Sequence, residues 1–255
     1  MAEIEGLVRA LREGDDAAKT AAANALGTLA YDDDANIVLI AEAGGIAPLV
    51  ELLRDGSAHA KPLAARALGN VASYDAYEVL IAEAGGIPPL VQLLRDGSAE
   101  AKLKAAWALG NLAWNDANRA LIAVAGAIPL LVELLRDGSA GARWYAVGAL
   151  RNLACNNAAN KVAIAEAGGV PLLVELLRDG SVDWKKKAAA ALRNLAWNND
   201  ANAVAIAEAI GLEALVELAR RGRVTVDSRS VVRDAGVPAK RKAALVVAAL
   251  LRACV

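Results

Sequence analysis

One pentapeptide recurs along the chain. Leu53-Arg54-Asp55-Gly56-Ser57 returns from Leu94, from Leu135 and from Leu177, at spacings of 41, 41 and 42 residues. Weaker copies stand at Leu11-Arg12-Glu13-Gly14 and Ala219-Arg220-Arg221-Gly222. A fixed period of this size describes units that cannot bury an apolar face alone and must stack on one another. The expectation is an all-helical solenoid, with function carried on its surface.

The stretch from Asp116 to Cys155 shows one unit. Asp116-Ala117-Asn118 offers side-chain caps for a short helix, Ala120 to Ala125, which Gly126 ends through a left-handed turn. A second helix starts near Pro129, whose fixed φ suits a first turn, and runs through Leu130 to Leu135. Asp137-Gly138-Ser139 stops it and caps a long third helix. Third helices are expected near 58–72, 99–113, 140–154 and 182–196, with small apolar residues such as Ala101, Ala105 and Leu109 at helical spacing. No period-two alternation or Asn-Gly turn argues for strands.

The run from Ile81 to Ser98, followed by Ala105-Ala106-Trp107-Ala108-Leu109-Gly110-Asn111-Leu112-Ala113, resembles the armadillo repeat. The likeness holds in register over nearly the whole chain. It implies a right-handed superhelical solenoid of about six three-helix repeats, read as one continuous domain over 1–255. A partial repeat at 1–30 precedes repeats near 31–72, 73–113, 114–154 and 155–196. An irregular last repeat at 197–255 carries an insertion near 222–232.

In that family the third helices line a concave groove where a ladder of Asn side chains holds an extended peptide by its backbone. The matching positions here are Asn70, Asn111, Asn152 and Asn194, with Thr28 in the first unit. An Asn amide is donor and acceptor together, so it can bond a peptide unit whatever its side chain. The same amides have a second use, in bonds to their own neighbours. The family's Trp one turn before each Asn is matched only by Trp107, because Arg66, Gly148 and Ala190 stand at the other three places. Arg66, Arg151 and Arg193, with Lys104 and Lys187, flank the ladder and favour an acidic or neutral ligand. Trp114 and Trp197 fall just after the ladder Asn, as rim anchors or as packing between units.

Composition removes other classes. A formal net charge of −1 gives no argument for a nucleic-acid phosphate track. The longest apolar stretch, Ala120 to Val132, is broken by Gly126 and Pro129 and is short for a bilayer span. His59 is the single histidine and lacks a catalytic partner, and no phosphate loop, nucleophile elbow or paired-Cys zinc site is present. Asp32-Asp33-Asp34 reads as a helix cap. No cofactor or enzyme activity is expected, and two cysteines, Cys155 and Cys254, suit a reducing compartment, cytoplasmic or nuclear.

The expected function is an interaction scaffold for an extended peptide. The alternatives are an engineered or consensus-like scaffold without a natural ligand, and, more distantly, a nuclear-import adaptor for basic signals. The segment 243–251 carries no polar side chain, so self-association through it, or cover from 222–238, is expected.

Overall fold

The structure is a computed structural model, and residues 1–210 are described. Among them stand fifteen helices and no strand. In order they are α1 (Ala2–Glu13), α2 (Asp16–Asp32), α3 (Asp34–Glu42), α4 (Ile46–Asp55), α5 (Ala60–Val71), α6 (Asp75–Glu83), α7 (Ile87–Asp96) and α8 (Ala99–Leu112). They continue as α9 (Asp116–Val124), α10 (Ala127–Asp137), α11 (Ala140–Leu153), α12 (Ala158–Glu166), α13 (Gly169–Asp179), α14 (Val182–Ala196) and α15 (Asp200–Ile210). Two compact units emerge, one spanning Met1–Ala149 and one beginning at Leu150. The irregular last repeat, its insertion near 222–232 and the apolar segment 243–251 lie outside the described residues.

The three-helix plan is confirmed, with α9, α10 and α11 standing where the sequence places short, short and long helices. Gly126 has φ 84°, the left-handed conformation that a Cβ disfavours, so the turn between α9 and α10 depends on it. Helix α5 begins at Ala60, two residues later than the start near 58 expected from the sequence. The Ser57 carbonyl accepts from both Ala60 and Lys61, and Ser57–His59 form a turn.

In the first unit the second helices carry the large apolar load. Helix α7 buries Ile87, Leu90, Val91, Leu93 and Leu94, one face of a 3.6-residue period. Each such Leu or Ile contributes on the order of 2 kcal/mol on leaving water. The third helices are filled with small residues instead, so that they can lie close together. Helix α5 packs between α2 and α8. A Cβ placed on Gly27 would stand 3.5 Å from the Ala67 Cα, and one on Gly69 would stand 3.4 Å from the Ala108 Cα.

In the second unit α13 packs on α14 and α15, burying Val170, Leu173, Val174, Leu176 and Leu177. The turns Asn156 and Asn198 have φ 49° and 52°, which Asn tolerates better than most residues.

The corner glycine of the pentapeptide has a different purpose from Gly126. Gly56, Gly97, Gly138 and Gly180 are extended, with φ between −74° and −69°, which any residue adopts. Space is the constraint. A Cβ on Gly97 would stand 2.4 Å from the Leu93 carbonyl oxygen and 2.8 Å from the Ala101 Cβ. The Ser that follows caps the third helix, with the Ala101 N–H donating to Ser98 Oγ at 3.2 Å and the Ala60 N–H to Ser57 Oγ at the same distance. Ser181 makes no such side-chain bond.

Gly97→Ala is therefore expected to destabilise by about 2 kcal/mol or more, because helix backbone must move. Gly6, inside α1 with nothing within 4 Å of its Cβ position, should behave oppositely. Gly6→Ala should stabilise by about 0.5–1 kcal/mol. Urea midpoints of the two variants check both signs.

Candidate functional site

Each Asn of the expected ladder sits on a third helix, and three of them reach back to the helix one repeat earlier. In the first unit, Asn70 Nδ2 donates to the Gly27 carbonyl at 2.6 Å and Asn111 Nδ2 to the Gly69 carbonyl at 2.9 Å. In the second, Asn194 Nδ2 donates to the Arg151 carbonyl at 3.0 Å. Asn152 is half-buried on α11. The stacking use of the amide is therefore real, and it satisfies a carbonyl lying on a helix filled with small residues.

The rungs are not equivalent. Asn70 is 4% exposed, whereas Asn111 and Asn194 are half-exposed. An amide that donates one hydrogen keeps a second hydrogen and its oxygen for another partner. Asn111 as a whole is partly open to solvent. Asn70 as a whole is buried.

The flanking cations also differ from one another. Arg66 is engaged inside the protein, its Nη2 donating to the Asn24 carbonyl at 2.7 Å, Asn24 Oδ1 at 2.8 Å and Thr28 Oγ1 at 3.3 Å. It ties α5 to α2 and is less available to a ligand than its place in the sequence suggests. In the second unit, Arg151, Lys187, Arg193 and Asn194 are half-buried side chains of α11 and α14. Burial pushes Lys187 down to about 8, and the neighbouring Arg151 charge adds to that shift.

The aromatic positions sort into two kinds. Trp107 lies across the backbone of α5, its six-membered ring 2.9 Å from where a Gly69 Cβ would be. Its ring centroid is 6.1 Å from that of Tyr145. Trp114 and Trp197 are 57% and 50% exposed, so packing between units does not account for their indoles.

A buried polar layer on the first helices was missed by sequence reasoning. Asn36, Asn118, Asn160 and Asn202 hold the third position of α3, α9, α12 and α15, and the last three are spaced 42 residues apart. Their amides cap the preceding third helix or the previous repeat. Asn36 bonds the Leu29 carbonyl and Asn160 the Leu153 carbonyl, while Asn118 bonds that of Glu78 and Asn202 that of Lys161. That 42-residue period was the signal that could have exposed them. One position further on stand Glu78, Arg119 and Lys161, each at most 6% exposed. In sequence each reads as an exposed charge on a short helix.

Arg119 pins the turn before α9. Its Nε donates to the Ala113 carbonyl at 2.8 Å, its Nη2 to the Trp114 carbonyl at 2.7 Å, and its Nη1 to Asp116 at 2.5 Å. Lys161 Nζ donates to the Trp197 carbonyl, and burial lowers its pKa. The Glu78 carboxyl is raised from 4.5 to about 7, first by burial and then by Asp75, against the opposing Arg119 charge and the Asn115 N–H.

The corner arginines were also missed. Arg12 Nη2 donates to the Ala43 and Gly44 carbonyls at 3.2 and 3.1 Å, and Arg178 Nη2 to the Ala209 carbonyl at 3.3 Å. They cap the C-terminal end of the next repeat's first helix, where a cation also suits the helix dipole. Among the described residues no three His, Cys, Asp or Glu side chains gather into a set that could hold a metal. Asp33 accepts from the Ala35 N–H at 2.9 Å as a helix cap. No single described helix is long and apolar enough to cross a membrane.

Two expectations follow. Asn70→Ala removes a buried bond to the Gly27 carbonyl and should destabilise by about 1–3 kcal/mol, while the more accessible Asn111→Ala should lose about 1 kcal/mol or less. Between pH 4.5 and 7 the folded chain keeps a proton on Glu78 that the unfolded chain releases, so stability should fall as pH rises through that window. Glu78→Gln should flatten this dependence and raise the urea midpoint at pH 8.

Comparison with known proteins bears on the same features. The armadillo/beta-catenin-like repeat family matches residues 33–73, 76–114, 115–155 and 157–197. No curated protein matches the chain. Among solved structures, an engineered protein is 32% identical with a TM-score of 0.80, covering 99% of this chain and 98% of its own. A designed armadillo repeat protein is 30% identical with a TM-score of 0.79, covering 97% and 99%. Another, solved in complex with the peptide (KR)4, is 32% identical with a TM-score of 0.78 over the same shares.

Proposed function

The chain belongs to the armadillo repeat family, and on that premise we propose that it is a peptide-recognition scaffold whose third-helix face receives an extended, acidic or neutral segment. The observation that carries the reading is the distribution of charge on the third helices. Past its second residue, none of α5, α8, α11 and α14 contains an Asp or Glu, whereas Arg66, Lys104, Arg151 and Arg193 lie among their cations. A solvated helix face would mix signs to gain local pairs. In the first unit Asn111 is the accessible rung, with Trp107 beside it and Lys104 one turn earlier. Stacked helices lie about 8–10 Å apart and an extended chain advances about 3.3–3.6 Å per residue, so each repeat would pass roughly two to three ligand residues.

A second reading has specific support: an engineered or consensus-like scaffold with no natural ligand. The structural neighbours are themselves engineered or designed repeat proteins, one of them described as made for modular peptide recognition. The near-identical corner pentapeptides also fit such an origin. Both readings share the armadillo scaffold and divide on whether a ligand is held.

Titration of labelled octapeptides into the full chain separates them. An Asp-rich octapeptide should bind better than a Lys-rich one, weaken with added salt, and lose about five- to tenfold in affinity on Asn111→Ala or Lys104→Ala. No binding of either peptide leaves the scaffold reading standing. Tighter binding of the Lys-rich peptide that depends on Asn111 would restore the import-adaptor reading.

A further inference from the structure

One first helix is tied down less than its counterparts. Helices α3, α9, α12 and α15 each follow an Asp or Asn whose side chain accepts from a backbone N–H of the first turn. Asp33 accepts from Ala35, Asn115 from Ala117, Asn157 from Asn160 and Asn199 from Asn202. Helix α6 follows Tyr74, which makes no such bond. Its third residue is Tyr77, where those four helices carry an Asn amide. The two tyrosines stack on each other, with centroids 5.9 Å apart. A missing cap costs a helix about 1 kcal/mol, so α6 depends on what holds its middle.

A buried cluster shared with the next repeat holds it. At the fourth position α3 carries Ile37, α6 Glu78, α9 Arg119 and α12 Lys161. The two cations hold turns, Arg119 by the Ala113 and Trp114 carbonyls and Lys161 by the Trp197 carbonyl. Glu78 is the acid of that series, and it is 3% exposed. Its carbonyl receives the Asn118 amide at 3.1 Å, which fastens its backbone to α9. Its carboxyl accepts from the Asn115 N–H, on the turn that Arg119 also grips. An acid and a cation thus converge on residues 113–116, all within the first unit.

Burial, and after it Asp75 on α6 itself, disfavours the ionised carboxyl, while Arg119 on α9 and the Asn115 N–H favour it. Asp116 stands behind Arg119, bonded to Nη1 at 2.5 Å. Helices α4, α5 and α8 also pack on α6, but the charges acting on Glu78 are Asp75 and Arg119. Burial wins, and the folded chain keeps this proton up to about pH 7. Once ionised, the carboxylate has two ways to lower its cost. It can hydrate by parting α6 from α9, or it can draw Arg119 away from two neutral carbonyls, because a guanidinium bonds a carboxylate more strongly. Both loosen the same turn.

We infer that the joint between α6 and α9 is a proton-operated latch. It is closed around a neutral Glu78 carboxyl and opens when that carboxyl ionises, releasing the turn at 113–116 that follows α8. Among the described repeats this joint alone carries the device, since the matching positions hold Ile37, Arg119, Lys161 and Ala203, none of which gains a negative charge.

A closed joint that binds the proton more tightly than the open one is favoured at low pH. Each pH unit from 4.5 to about 7 therefore raises the open fraction by as much as tenfold, and the effect levels off above that. Amide hydrogen exchange on the full chain between about pH 5 and 8, with intrinsic rates divided out, tests this. Protection of α6 and of residues 113–116 should fall through that window and lie at least about tenfold below that of α4 and α7 at pH 8. Glu78→Gln should keep α6 at its acid-side protection throughout. Asp75→Asn should move the transition to lower pH, a shift that a purely structural role would not produce. Circular dichroism checks that each variant folds. The latch is overturned if α6 and 113–116 exchange no faster than α4 and α7, because the proton is then felt only in global unfolding. It is equally overturned if Glu78→Gln retains the pH dependence. Should Glu78→Gln fail to fold, an unmoved transition in Asp75→Asn overturns it.

Discussion

A side-chain amide bonding a backbone carbonyl one repeat away sets the register of the stacked helices. Hydrophobic burial brings the helices together but has no direction, and the small residues of α2, α5 and α8 would allow them to slide. Asn70 on Gly27, Asn111 on Gly69 and Asn194 on Arg151 each remove that freedom within their own unit. A helix carbonyl already takes one bond within its own helix, and its second lone pair accepts the amide. Losing the match leaves a buried polar group unsatisfied, which opposes slippage more sharply than lost contact area does. The Arg66 bonds to Asn24 and Thr28 act in the same place and the same sense.

The first helices repeat the device by another route. Asn118 on the Glu78 carbonyl and Asn202 on the Lys161 carbonyl join the first helices of successive repeats. The corner arginines Arg12 and Arg178 add a third connection, at the end of the next repeat's first helix. Within each unit, repeat interfaces are thus held by polar bonds at more than one place. Apolar area decides that repeats stack, and these bonds decide how.

The fold was legible because a solenoid writes its architecture as a period. The pentapeptide at Leu53, Leu94, Leu135 and Leu177 marks four second-to-third helix corners, and Gly126 marks a first-to-second corner for a stated backbone reason. What stayed hidden depends on distance between repeats. That Gly97 is needed for clearance from the Leu93 carbonyl cannot be told from a need for left-handed φ without coordinates. Glu78, Arg119 and Lys161 look solvated in sequence and are buried, because the neighbouring repeat covers them. At the ladder, Arg66 stands one turn before its Asn and reads in sequence as a cation open to a ligand, yet it is drawn into Asn24.

The two uses of a ladder Asn are often set against each other, as stacking or as binding. The geometry at Asn111 removes the opposition. Its stacking bond to Gly69 uses one of two amide hydrogens and fixes the orientation of the side chain. The remaining hydrogen and the oxygen are then held in place before any ligand arrives. An amide ordered in this way gives up little further entropy on binding, whereas a free surface Asn would have to be ordered by the ligand itself. In the proposed peptide-binding reading, stacking thereby prepares the rung. Asn70 stacks without exposure and so keeps register only, whereas the proposed binding role falls to rungs that stack and stay partly open, as Asn111 does.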